Sequence, residues 1–202
     1  MSQNYLKIRN DYLKKAWSRT PAVLSAALPA ESTDAGLHFR AFGGDCLLTG
    51  DEITLAGTPA TGPQGLLIAL YASAVPERPV QLEALNSFKE LPGSMPYQAA
   101  FAANAERLLV PQVPAIYRQQ ERLAAVFSGH LNPEPPSGDF SFTLYPLPRV
   151  PLYYIFHLPD EEFPASVTCL FAANALDFMP LDGLADVAEY TGKGIIALMA
   201  GR

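Results

Sequence analysis

Three consecutive carboxylates, Asp160, Glu161 and Glu162, are the sharpest cluster of ionisable groups in the sequence. Adjacent carboxylates can coordinate Mg²⁺ or Ca²⁺, or divide acid and base roles between them. Three successive side chains cannot all face one ion without a special loop, and no EF-hand spacing surrounds them. The plainer role is a strand-end turn in which one acid pairs with Arg149 while the others face water. Arg149 stands between Pro148 and Val150, where an unpaired guanidinium would be costly. Either it pairs with one of these acids or it binds an anionic ligand. Glu90, before Leu91-Pro92-Gly93, suits capping or backbone bonding more than catalysis.

Nucleophilic chemistry has one candidate pair, His157 and Cys169, if they face each other on neighbouring strands. Both residue types also serve in cores. Neither a G-x-S-x-G elbow nor a phosphate-binding loop occurs, and Gly192-x-Gly194 lacks the third glycine of a dinucleotide fingerprint. His and Cys spacings fit no metal site.

The elements that must position these groups follow from periodicity. Tyr5, Leu6, Ile8, Tyr12, Leu13, Ala16 and Trp17 share one face of a helix predicted over Asn4–Arg19, which Thr20-Pro21 ends. Ala22–Leu28 adds a helical turn and Pro29–Gly36 a polar loop. Leu37–Phe42, Cys46–Thr49 and Glu52–Ala56 alternate with Gly-Asp turns and predict an antiparallel meander. A helix apolar on all sides is predicted over Gln64–Ala74, behind Pro63. Leu82–Leu91 reads as extended. Two joined helices follow: one capped by Ser94 with Phe101, Ala105 and Leu108 inward, the other over Val113–Phe127. Phe140, Phe142 and Leu144 mark a half-buried strand. Val150–Leu158, apolar on both faces, predicts a central strand covered by helices. A third strand is expected over Ser166–Phe171, and a closing helix over Gly183–Met199, capped by Asp182 and interrupted at Gly192 and Gly194. The fold class predicted is α+β, a mostly antiparallel sheet packed by N-terminal, central paired and C-terminal helices. One domain is expected over 1–202, with a soft boundary in the loop 131–138.

Composition limits the function. Net charge is −6, with 14 Lys and Arg against 20 Asp and Glu, which argues against nucleic acid. No apolar run is long enough to span a bilayer, and the N-terminal residues do not run apolar as a signal peptide would. Two isolated cysteines suit a reducing compartment, so a cytoplasmic location is expected.

Three blocks occur in order: Ser87-Phe88-Lys89-Glu90-Leu91-Pro92-Gly93, Leu147-Pro148-Arg149-Val150-Pro151-Leu152, and Asp160-Glu161-Glu162-Phe163-Pro164-Ala165-Ser166. With Leu170-Phe171 and Met179-Pro180 they resemble an uncharacterised prokaryotic family called domain of unknown function 3786. The helix around Trp17 fits it too. The resemblance implies no agreed activity. Some relatives are fused to an iron–sulfur cluster domain resembling that of corrinoid proteins, but this chain has no such cysteine cluster. His157 stands where relatives are expected to carry tryptophan. Two functions remain open. One is a binding or accessory module that takes a small anionic ligand or a partner protein, in a redox or corrinoid system by the resemblance. The other is an enzyme using Glu90 and Asp160–Glu162, with or without a divalent metal.

Overall fold

A computed structural model describes residues 3–133 and 137–201. Of the loop expected over 131–138, residues 134–136 lie outside the described residues. The fold is α+β, and the described residues form ten strands in two antiparallel five-stranded sheets. The first sheet is a meander of β1 (Glu31–Thr33), β2 (Gly36–Ala41), β3 (Gly44–Leu48), β4 (Ile53–Leu55) and β5 (Thr58–Pro59), in that order. Its middle three strands are those the alternation predicts. The outer two are too short and polar to announce themselves. The second sheet contains β6 (Asn86–Ser87), β7 (His130–Leu131), β8 (Phe140–Leu147), β9 (Val150–His157) and β10 (Ser166–Phe171), in the order β6-β10-β9-β8-β7. Thus β9 is the central strand, as its two apolar faces require.

The meander and the later strands were expected to share one sheet, and they form two. Among the described residues one backbone bond, Phe42 N–H to the Pro146 carbonyl at 2.7 Å, links the end of β2 to β8. Pro146 falls in a register shift between Leu144 and Leu147, so the ladder opens there and its carbonyl is free to accept.

Helix α1 (Gln3–Ala16) ends before the predicted Arg19, because Thr20 caps a separate α2 (Pro21–Ala27). On α1, Leu13 and Ala16 are buried as expected, but so is Arg9, while Tyr5 and Ile8 are exposed. The Arg9 guanidinium donates to the Ala60 carbonyl at 3.1 Å, which satisfies it inside. Helix α3 (Pro63–Ala74) is buried along most of its length, as its all-round apolar character demands.

The predicted central pair is more broken than its pattern suggests. A 3₁₀ turn, Met95–Tyr97, leads into α4 (Gln98–Phe101), then a π-turn, Ala102–Glu106, then a 3₁₀ segment, Arg107–Gln112. The π-turn inserts extra backbone, so the apolar face slips by a residue. Phe101 and Ala105 are buried as predicted, but Leu109 replaces Leu108 in the core. Next come α5 (Val113–Arg118) and α6 (Gln120–Val126), parted at Gln119. Ser128, at φ 55°, supplies the left-handed end residue.

The closing helix α7 (Leu181–Met199) runs unbroken through Gly192 and Gly194. Both glycines permit close approach: an added Cβ would lie 3.0 Å from Leu108 and 3.1 Å from Phe127. Buried residues from Leu13 to Ile195 form one apolar cluster. No helix among the described residues is long and apolar enough to cross a membrane.

Candidate functional site

Arg149 does not pair with the acidic triple. Its Nε donates to the Ala27 carbonyl at 2.7 Å, Nη1 to the Arg78 carbonyl at 2.7 Å, and Nη2 to the Ala26 carbonyl at 3.1 Å. Ala26 and Ala27 close α2, whose last carbonyls have no partner within the helix. The guanidinium therefore caps a helix C-terminus. Its own backbone N–H donates to the Tyr71 hydroxyl of α3 at 3.2 Å. Distance excludes the expected ion pair, since Arg149 and Asp160 lie beyond opposite ends of β9, whose eight residues span roughly 25 Å.

The three acids sit in an exposed turn between β9 and β10. Asp160 Oδ1 accepts the N–H groups of Phe163 at 2.7 Å and Glu162 at 2.8 Å. Those two bonds hold its carboxyl below the usual range. Glu161 and Glu162 are exposed, and neither belongs to an ion pair among the described residues. Glu90 closes a capping box: its Oε2 accepts from the Ser87 hydroxyl at 2.6 Å and the Ser87 N–H at 2.7 Å. These bonds lower its pKa. The candidate carboxylates thus hold local backbone and do not meet in one cleft with Arg149. No group of three or more His, Cys, Asp or Glu among the described residues is arranged to hold a metal ion.

His157 and Cys169 do not face each other. The register pairs His157 with Ser166 and Cys169 with Tyr154. An odd offset of three residues puts the two side chains on opposite faces. His157 is exposed, with Nδ1 3.0 Å from the Ser166 hydroxyl, and Cys169 is buried.

A cleft of about 300 Å³ lies instead beside the outer edge of β10, lined by Ser87, Lys89, Gln98, Glu106 and Thr168 over Phe88 and Phe101. The two rings are stacked with centroids 4.1 Å apart and planes within 6°, and Phe171 tilts against both. Local chain geometry builds this cleft. Strand β6 pairs with Leu170 and Phe171 only, because the chain leaves the ladder at Phe88 to form a 3₁₀ turn over Phe88–Glu90. The next amide along β10, Cys169 N–H, is left without a strand partner. Glu106, at the end of the π-turn, supplies the acceptor: its Oε1 takes that N–H at 3.0 Å.

Burial pushes the Glu106 carboxyl above its usual range, against the lowering effects of the Cys169 N–H and the charges of Arg107 and Lys89. Lys89 is exposed and belongs to no ion pair among the described residues. Beneath Glu106, Cys169 and Tyr154 lie side by side in register on the buried face. The Tyr154 hydroxyl is fully enclosed, with no oxygen or nitrogen partner among the described residues and the Cys169 thiol as its weak polar neighbour. Burial and the Glu106 carboxylate drive the Cys169 thiol well above its ordinary pKa.

A larger cavity, about 480 Å³, lies between the meander and the start of α3. Its lining of glycine, alanine and other uncharged residues, among them Gly43, Gly62, Gly65 and Gly194, offers no ionisable group. The smaller cleft combines an apolar floor, several polar groups and a displaced carboxyl, which is the usual make-up of a ligand site. Sequence reasoning missed Glu106. A lone acid at what reads as the outside of a helix carries no signal, although its neighbours Ser87 to Glu90 do stand in the first of the three blocks.

The family model described as Domain of unknown function (DUF3786) matches residues 20–193. The match takes in both sheets and the cleft, and Trp17 lies outside it. No curated protein and no solved structure matches the chain.

Proposed function

The chain belongs to the domain of unknown function 3786 family, and on that footing we propose that it is a binding module for a small carboxylate, held in the cleft beside β10. The observation that carries this reading is that Lys89 and Glu106 line one cleft. Lys89 is a cation with no ion-pair partner among the described residues, and it lines the same cleft as a carboxyl whose burial favours the neutral form. A carboxylate ligand would take the ammonium of Lys89, with the Thr168 hydroxyl and the Gln98 amide within the same lining. Its apolar body would lie against the Phe88 and Phe101 edges. A ligand of about ten heavy atoms at roughly 0.3–0.5 kcal/mol each gains about 3–5 kcal/mol. That corresponds to binding around the millimolar range.

Glu90 and Asp160, which the enzyme alternative needs, are engaged in backbone bonds. In a redox or corrinoid setting, this chain would act as a binding partner of a cluster-bearing protein, since it lacks the cysteines itself. Titration of ¹⁵N-labelled protein with acetate, succinate and benzoate tests the site. The amides of Lys89, Thr168 and Cys169 should shift together, and Lys89→Gln should weaken binding about tenfold, the loss of one screened ion pair and its hydrogen bond. If none of the three probes moves those amides, the reading fails.

A further inference from the structure

We propose that the cleft takes up its carboxylate ligand together with one proton, which Glu106 holds and presents to the ligand as a hydrogen-bond donor. This rests on the binding role proposed above and adds the chemistry of recognition to it. The geometry of Glu106 carries the inference. Only one of its two oxygens is engaged: Oε1 accepts the Cys169 N–H at 3.0 Å, and among the described residues no donor reaches Oε2. An incoming carboxylate would place a second set of acceptor oxygens in the same 300 Å³ cleft. Two carboxylates in one small space cannot hydrogen-bond to each other without a proton between them, and their charges repel.

Of the two cations whose charges reach Glu106, Arg107 and Lys89, one lines the cleft. Lys89, on the turn after β6, is the single cationic side chain in the lining. Arg107 follows Glu106 in the chain, is exposed, and is not part of the lining. From β10 and β9, Cys169 and Tyr154 approach Glu106, both held in their neutral forms by burial. On the far side of the π-turn, Asp182, Asp186 and Glu189 of α7 line a separate groove with Asn104 and Ala105. Within the cleft one ammonium thus faces two acids once ligand is bound, while exposed Arg107 acts on Glu106 from outside the lining. Partial burial of Glu106 raises its carboxyl above the usual range in the free protein, toward the neutral acid. A bound anion raises that preference further, so protonation and binding promote one another. No covalent bond changes: the ligand enters as the anion and the proton comes from solvent.

Calorimetric titration with benzoate tests this directly. Between about pH 6 and pH 8 benzoate stays ionised, so proton uptake on binding belongs to the protein. Heats measured in two buffers of different ionisation enthalpy should differ, reporting proton uptake up to one per benzoate bound. The dissociation constant should rise by up to about tenfold per pH unit over this range. Glu106→Gln, whose amide donates at every pH and can still accept the Cys169 N–H, should abolish the pH dependence and the proton uptake. Its melting temperature is measured alongside, and the two-buffer comparison on the unaltered protein depends on no variant. Benzoate binding that is independent of both pH and buffer overturns the proton-linked inference and leaves the binding role standing. Absence of benzoate, acetate and succinate binding throughout the pH range overturns both.

Discussion

Glu106 accepts the amide N–H of Cys169 at 3.0 Å, on the edge of β10 from which β6 has turned away. One side chain thereby continues a sheet edge and lines the adjoining cleft. The same arrangement places a carboxyl over a buried face that carries Cys169 and Tyr154. Substitutions here therefore touch binding and stability together, and the two are separated by comparing isosteric with truncating changes.

Arg149→Met should destabilise the protein by about 2 kcal/mol in urea unfolding, because three carbonyls lose a charge-assisted donor and α2 loses its cap. Arg149→Lys should recover less than half, since a single ammonium cannot reproduce a planar fork. Glu161→Gln and Glu162→Gln should leave the unfolding midpoint unchanged. An unchanged unfolding midpoint in Arg149→Met would contradict the capping role.

Acidification should remove the stabilisation due to Glu90 and Asp160. Both carboxyls have folded-state pKa values below their ordinary ones, through the bonds from Ser87 and from Phe163 and Glu162 respectively. Their contribution is complete above the unfolded values, about 4.3 for Glu and 3.9 for Asp. It is lost as pH falls through the lower folded values. Thermal midpoints of Glu90→Gln and Asp160→Asn should lie below that of the parent at neutral pH and converge with it in acid. A constant gap down to the lowest pH measured would count against these bonds.

Both thiols should be inert in the native protein. Cys169 is raised far above the ordinary thiol range, and burial pushes Cys46 up to about 12. A disulfide reagent at neutral pH should label neither until denaturant is added. Fast stoichiometric labelling without denaturant would show that one of these sites opens.

Removing the enclosed hydroxyl in Tyr154→Phe should leave stability unchanged or raise it by up to about 1 kcal/mol, because the buried hydroxyl meets no strong partner, the Cys169 thiol being a weak one, while the ring stays. Tyr154→Leu should destabilise, since the ring packs against Phe142 and Phe156. A clear loss of stability in the phenylalanine variant would mean that the hydroxyl has a partner in solution.

Much of the fold was written in short-range pattern. Alternation over Val150–His157 marks a central strand because both faces of such a strand must be apolar, and prolines at 146 and 148 mark the corner before it. The expected pair of Arg149 with the acids after β9 failed, because an eight-residue strand between two charges keeps them apart. The division into two sheets was not legible, since alternation sets a strand's faces and not its neighbours. The slip from Leu108 to Leu109 was hidden as well, because a π-turn leaves no mark on a 3.6-residue pattern.

By itself, the sequence determined the longer strands and helices and the local bond of Glu90 to Ser87, because those depend on residues a few positions apart; the caps expected of Ser94 and Asp182 did not form. The cleft was decided only by tertiary structure. Glu106 and Cys169 are 63 positions apart, and nothing in either residue's surroundings foretells their bond. It forms because β6 is too short to complete the edge of β10, and a buried amide must find an acceptor wherever the packed chain provides one.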